Sequence, residues 1–219
     1  MQQIIVFISE LENDVQSQWL DLLKQQMPNE AILLSHQISD AQAENIDIAI
    51  VANPEPKTLA RFPNLIWIQS LWAGVEKLLS YNRVKQVKLV RLVDPQLSKT
   101  MAEAALAWTL YLQRDMPEYA KQQANKQWKQ LVPQAANELR ISVLGAGTLG
   151  IAALQTLKQF DYQVNCWSRT AKQLKGIKSY SGFSGLQSML SHTDILINLL
   201  PLTEETHHLL DIKTLSLLP

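Results

Sequence analysis

LRISVLGAGTLGIAALQTLKQF, Leu139 to Phe160, is the stretch that decides the fold. An apolar run ending at Leu144 reads as a strand, Gly145-Ala146-Gly147-Thr148-Leu149-Gly150 as a turn, and IAALQTLKQF as the helix that leaves it. Gly145 permits the tight turn, Gly147 lets the backbone approach a pyrophosphate, and Gly150 lets helix and strand pack closely. The unpaired N–H groups at the helix start then meet the phosphates, where the helix dipole favours negative charge. Gly145, Gly147, Thr148, Leu149 and Gly150 are therefore candidate cofactor-binding residues. The competing reading is a glycine-rich turn with no ligand.

Downstream, Tyr162 to Trp167 reads as a second strand, and its end is where dinucleotide folds place an acidic residue for the ribose 2′-hydroxyl. Here the chain has Ser168-Arg169-Thr170, with Lys172 just beyond and no carboxylate. A guanidinium flanked by hydroxyls suits a 2′-phosphate, which Arg binds bidentately. Ser168, Arg169 and Thr170 thus favour NADP(H) over NAD(H), against the alternative that Arg169 is a solvated surface residue. A helix around Ser184 to Leu190 leads to a third strand, Asp194 to Leu200. The loop from Pro201 to Thr206 leaves its carboxyl end, where open α/β sheets bind ligands. Leu200, Pro201 and Thr206 are candidate cofactor contacts there, although Thr203 serves equally well as a helix cap.

The N-terminal part alternates strand runs with helical stretches: Ile4 to Ser9, a pattern around Trp19, Leu22 and Leu23, then Ala31 to Ser35, Ile46 to Ala52 and Leu65 to Ala73. That alternation predicts a parallel sheet covered on both faces. After Asp94-Pro95, SKTMAEAALAWTLYLQRDM predicts a long buried helix, with Thr100 and Glu103 at capping-box spacing. Pro117 ends or kinks it, and the weakly patterned stretch from Glu118 to Glu138, broken at Pro133, suits a connector. The expected organisation is a substrate domain over 1–97, an interdomain helix and connector over 98–138, and the first part of a Rossmann domain over 139–219.

Composition narrows the partners. The 219 residues hold 20 basic and 20 acidic side chains, a formal net charge of +0, so no overall field attracts nucleic acid or anionic lipid. With 47% apolar and 18% charged residues the chain is expected to fold. The apolar start at Ile4 to Ile8 is too short for a membrane span, and a cytoplasmic protein is expected. The single cysteine, Cys166, lies in an apolar run and reads as buried and inert.

LGAGTLG, CWSRT, GIKSYSG and LINLLPLTEET, in this order and spacing, resemble the NADPH-dependent glyoxylate/hydroxypyruvate reductases, A type, of the D-2-hydroxyacid dehydrogenase superfamily. SLWAGVEKLL (Ser70 to Leu79) is similar to the family's substrate loop, and MAEAALAWTLYLQR to its interdomain helix, so the likeness spans nearly the whole chain. The resemblance implies an α/β protein, with a flavodoxin-like substrate domain and a Rossmann cofactor domain of doubly wound parallel sheet. It implies hydride transfer from NADPH to a small 2-keto acid, interconverted with the 2-hydroxy acid. Backbone N–H groups of Ala73, Gly74 and Val75 would grip the substrate carboxylate, as backbone nests bind anions. A homodimer is implied in the same way. Two positions depart from the pattern: Trp72 stands where a small residue is usual, and Ala52 where a tryptophan often lines the substrate pocket. Glu76 follows the loop as the family's usual acid does.

The resemblance also places an Arg, a Glu and a His paired with that Glu after the next strand, which would lie beyond Pro219 in LSLLP, so no catalytic residue is assigned. His36, His192, His207 and His208 are poor substitutes, and no metal site is expected from them. The chain is thus expected to be C-terminally truncated and nearly inactive alone. Its cofactor sheet is expected to keep only strands 3, 2 and 1, leaving the strand through Val143 without a neighbour on one side. The alternatives are a non-enzymatic nucleotide- or partner-binding remnant and, more distantly, an unrelated Rossmann enzyme such as a methyl transferase.

Overall fold

Six residues of continuous apolar and β-branched character, Ile4–Ser9, form β1 in the computed structural model, which describes residues 3–79, 81 and 84–219. The chain divides into two compact units, with the break between Val93 and Asp94.

In the first unit β1 is followed by α1 (Asn13–Gln26), β2 (Ala31–Leu34), α2 (Asp40–Ala43), β3 (Ile48–Ala52), α3 (Pro56–Ala60), β4 (Trp67–Ser70), α4 (Glu76–Leu79) and β5 (Lys88–Val90). The strands pair in parallel in the order β2-β1-β3-β4-β5, the flavodoxin-like arrangement. Alternation along β1 sends side chains to both faces and so splits the core. Val6 and Ile8 pack with Ala49, Val51, Leu59 and Phe62, whereas Ile5 and Phe7 pack with Ile32, Leu34, Ile50 and Leu20 of α1. Each such side chain, buried fully, contributes about 1.5–3 kcal/mol.

The ladders are shorter than the apolar runs. Ile66 and Trp67 are exposed, and buried Ser70 ends β4 by accepting from the Trp72 N–H and donating to the Trp72 carbonyl, both at 3.1 Å. The sequence reading does not anticipate β5, a three-residue edge strand, Lys-Leu-Val, that is too short to stand out and has both end side chains exposed.

The second unit opens with α5 (Pro95–Gln113). Its cap is Asp94, whose side chain accepts from the N–H groups of Gln96 and Leu97, with Pro95 in the first turn. The helix therefore starts a turn before the Thr100 and Glu103 spacing, and those residues lie in its interior. Asp115, at φ 53, breaks the helix, and Pro117 sits in the first turn of a new one, α6 (Met116–Ala124). The first third of the stretch from Glu118 to Glu138 is thus helical. The rest is strapped down by Tyr119, whose hydroxyl accepts from the Leu131 N–H at 3.0 Å and whose ring stacks on Trp128. α5 packs along α7 (Thr148–Gln159) within this unit.

Between and beyond them stand β6 (Arg140–Leu144), β7 (Gln163–Trp167), β8 (Lys178–Tyr180), α8 (Gly182–Leu190), β9 (Ile195–Asn198) and α9 (Ile212–Leu215). The parallel order is β8-β7-β6-β9. This corrects the expectation for Val143: it pairs with Cys166 of β7 on one side and Ile197 of β9 on the other. The third strand of the sheet is β8, whose Lys-Ser-Tyr is too short and polar to read as a strand, and β9 is the fourth. Among the described residues β8 and β9 are the edge strands of this sheet, and half-buried Ile195, Leu196 and Ile197 of β9 border an apolar groove of about 330 Å³ with Met101 and Trp108 of α5.

One clamp fixes the β6–β9 pair. Asp194 accepts from the Arg140 N–H at 2.8 Å and from its guanidinium at 2.9 and 2.6 Å, which holds the Asp194 carboxyl below the usual carboxylate range. Asp194→Asn is expected to lower unfolding stability at neutral pH by about 2 kcal/mol. A depressed carboxylate stabilises the fold above its unfolded value of about 4, and that contribution is lost as pH falls through the lower folded value. Denaturant titrations should therefore show wild type and variant converging at the acid end, and a gap that is independent of pH would contradict the clamp.

Candidate functional site

The turn between β6 and α7 has the geometry its glycines predict. Gly145 adopts φ +99, and a Cβ there would lie 2.8 Å from the Leu199 carbonyl oxygen, so neither the dihedral nor the space admits a side chain. At Gly150 a Cβ would stand 1.7 Å from the Gly145 carbonyl oxygen; this glycine is what lets α7 lie against the turn. Gly147 caps α7 without a side chain, and a Cβ built on it meets nothing within 4 Å. The first intrahelical bond is Ile151 N–H to the Gly147 carbonyl at 2.9 Å. The N–H groups of Thr148, Leu149 and Gly150 therefore lie ahead of the ladder, as an anion cradle requires; Gly147 and Thr148 are exposed, whereas Gly150 is buried against the Gly145 carbonyl.

The end of β7 lies alongside, since the Gly145 N–H donates to the Trp167 carbonyl at 2.8 Å. Beyond it Ser168 is buried and its hydroxyl donates to the Thr170 carbonyl at 2.8 Å. That hydroxyl is spent on shaping the turn, and the turn presents Arg169 and Thr170 outward. The Arg169 guanidinium lies 3.6 Å from the carboxylate of Glu205, in the loop that follows β9.

That loop is equally fixed. Thr206 accepts from the Thr203 N–H at 2.8 Å and donates to the Pro201 carbonyl, so its hydroxyl staples the loop. Leu200 packs with Leu144 and Trp167, and Pro201 is exposed. The ends of β6, β7 and β9 thus lie side by side at the carboxyl edge of the sheet, the place where open α/β sheets form their ligand crevice. The fit to a dinucleotide phosphate rests on the open cradle at Gly147 and on the free donors behind it.

In the first unit, the order reverses between β1 and β3, and their carboxyl ends border a cavity of about 380 Å³ lined by Glu10, Ala52, Asn53, Glu55 and Lys77. Ala73, Gly74 and Val75 form the turn from β4 into α4, with Gly74 exposed. Glu76 folds back over it: a Cβ on Gly74 would lie 2.8 Å from its carboxylate. The two departures noted above meet in one apolar cluster: Ala52 belongs to it, and Trp72 packs against it, edge-on to Trp19 at 6.5 Å.

Other candidates fall away. Cys166 is fully buried, and burial pushes its thiol up, against nucleophilic use. Among the described residues no histidine is ion-paired to a carboxylate and no group of His, Cys, Asp or Glu could hold a metal. No described helix is long and apolar enough to cross a membrane. Glu205, which the sequence reading passed over, carries no sequence signal; only the return of the chain after β9 brings it to Arg169.

Comparison with known proteins agrees with this geometry. Residues 106–219 match the model of the D-isomer specific 2-hydroxyacid dehydrogenase, NAD binding domain. The chain is 37% identical over 206 residues to a glyoxylate/hydroxypyruvate reductase A from Photorhabdus laumondii, covering 91% of this chain and 65% of that protein. It is 36% identical to the enzyme of that name from Yersinia enterocolitica, covering 89% and 63%. The chain thus spans less than two thirds of the length of these relatives. A D-isomer specific 2-hydroxyacid dehydrogenase from Xanthobacter autotrophicus, crystallised with NADPH and MES, superposes with TM-score 0.87 at 32% identity, over 100% of this chain and 70% of that one. With family model, relatives and fold in agreement, the chain belongs to the D-isomer specific 2-hydroxyacid dehydrogenase family.

Proposed function

We propose that these residues carry the carboxylate grip and the adenosine-phosphate half of the cofactor site of an NADPH-dependent reductase of short 2-keto acids such as glyoxylate and hydroxypyruvate. The observation that carries this reading is the end of β7, where Arg169 and Thr170 stand exposed beside an open glycine cradle with no carboxylate in the turn. NADPH, when bound, supplies the hydride. The chain's own part is to hold and orient. The N–H groups of Thr148, Leu149 and Gly150 take the pyrophosphate, Arg169 takes the 2′-phosphate, and Leu200 and Pro201 form the apolar wall beside them. The N–H groups of Ala73, Gly74 and Val75 take the substrate carboxylate in the first unit.

Reducing a keto acid also needs a cation on the carbonyl and an acid for the developing alkoxide. No histidine among the described residues has the carboxylate partner that would tune it for that work. Residues 1–219 on their own are therefore expected to bind NADPH and to turn over little. A homodimer is part of the proposal, supported by the exposed Trp108, Leu112 and Met116 on and after α5.

The test is NADPH oxidation by this chain with glyoxylate or hydroxypyruvate, with nucleotide binding measured on the same sample. Binding with a rate far below the ordinary range of about 1–10³ s⁻¹ is expected. A rate within that range would contradict the near-inactivity, and a sample that binds no NADPH would contradict the cofactor assignment.

A further inference from the structure

The Arg169 side chain points at a competitor. Its guanidinium lies 3.6 Å from the Glu205 carboxylate, and both side chains are largely solvent-exposed. Neither end of the pair comes from a loose segment. Arg169 leaves a turn tied by the Ser168 hydroxyl to Thr170 and by the Ser168 N–H to the Tyr180 carbonyl at 3.1 Å. Glu205 leaves a loop stapled by Thr206, with the His207 N–H on the Thr203 carbonyl at 2.8 Å. The two turns rise from β7 and β9, on either side of the glycine turn that follows β6. The ion pair accordingly links the turns that flank the glycine turn.

We propose that Glu205 is a specificity-determining residue: a carboxylate that holds Arg169 when no 2′-phosphate is present and that a 2′-phosphate must displace. This rests on the reading of Arg169 as the 2′-phosphate residue. A cofactor with a plain 2′-hydroxyl has no need to break the pair. A phosphorylated one must take the guanidinium from Glu205 and then sit near a like charge. Glu205 therefore narrows the preference for NADPH over NADH, and its size follows from its exposure, since exposed ion pairs are worth little. The neighbouring Glu204 carries the same charge without the contact, and provides the control.

The experiment is a set of NADPH and NADH binding titrations on the wild-type chain, Glu205→Gln, Glu204→Gln, Arg169→Ala and the Arg169→Ala/Glu205→Gln double variant, with circular dichroism to check folding. Glu205→Gln is expected to tighten NADPH about two- to fivefold and to leave NADH unchanged. The gain should shrink as ionic strength rises, because the competing charges are exposed to salt. It should vanish in the Arg169→Ala background and be smaller in Glu204→Gln. Equal tightening of both nucleotides, a gain that survives Arg169→Ala, an equal gain from Glu204→Gln or no gain at all would each overturn the proposal while leaving the cofactor reading intact. A wild-type chain that binds neither nucleotide would overturn both.

Discussion

Gly150→Ala is expected to destabilise the second unit by about 3 kcal/mol and to weaken nucleotide binding about a hundredfold. The sign is the informative part, since replacing glycine by alanine inside a helix ordinarily adds about 0.5–1 kcal/mol of stability. Here the new Cβ would lie 1.7 Å from the Gly145 carbonyl oxygen and 2.9 Å from its carbon. Both are backbone atoms of a turn that is itself hydrogen-bonded to Trp167, so no side chain can swing away. α7 must lift off the turn, at the cost of overpacking in a tight core. Its leading N–H groups leave the crevice with it, and two lost hydrogen bonds to a charged phosphate account for the drop in affinity. Gly147→Ala separates the two effects. Its Cβ meets nothing within 4 Å, so the fold should be unchanged. The methyl group then stands where a pyrophosphate would approach, and binding alone should suffer. Urea unfolding and nucleotide titration of the two variants check this. A Gly147→Ala chain that loses stability, or a Gly150→Ala chain that keeps it, would contradict the geometry.

Arg169→Ala is the second large effect, and it should fall on one cofactor. The side chain is exposed and its sole described partner is the Glu205 carboxylate at 3.6 Å, so removing it should not change stability. Charge-assisted hydrogen bonds are worth about 1.5–3 kcal/mol, and a 2′-phosphate would receive them bidentately. NADPH affinity is therefore expected to fall about tenfold to a hundredfold, while NADH affinity changes about twofold or less. Parallel isothermal titrations of wild type and variant measure both, and equal losses would show that Arg169 supports the nucleotide generally rather than its 2′-phosphate.

What could be read from the sequence is what single residues dictate. Gly145 announces a left-handed turn, Gly150 a close packing, and the apolar runs of β1, β3, β6 and β7 a parallel sheet buried on both faces. Each has a local cause, and each appears where the residues place it. The misreadings have a common origin in non-local structure. β5 and β8 are strands only because a neighbour offers them a ladder, and Lys88 or Lys178 gives no hint of that. Missing β8 shifted the count of strands and produced the false edge at Val143. The start of α5 at Asp94 was hidden because Thr100 and Glu103 imitate a cap that the earlier Asp-Pro supplies. The ion pair between Arg169 and Glu205 depends on how two loops return to one edge of the sheet. Trp72 and Ala52 are separate oddities in the sequence, and only the fold brings both to one apolar cluster.

The most direct measurement is a titration of the wild-type chain with NADPH and with NADH, followed by the quenching of its tryptophan fluorescence, to which Trp167 at the end of β7 contributes. Saturable binding of both nucleotides is expected, with NADPH tighter by about tenfold or more. Equal affinities, a preference for NADH or the absence of binding would contradict the assignment of this crevice to a 2′-phosphorylated dinucleotide.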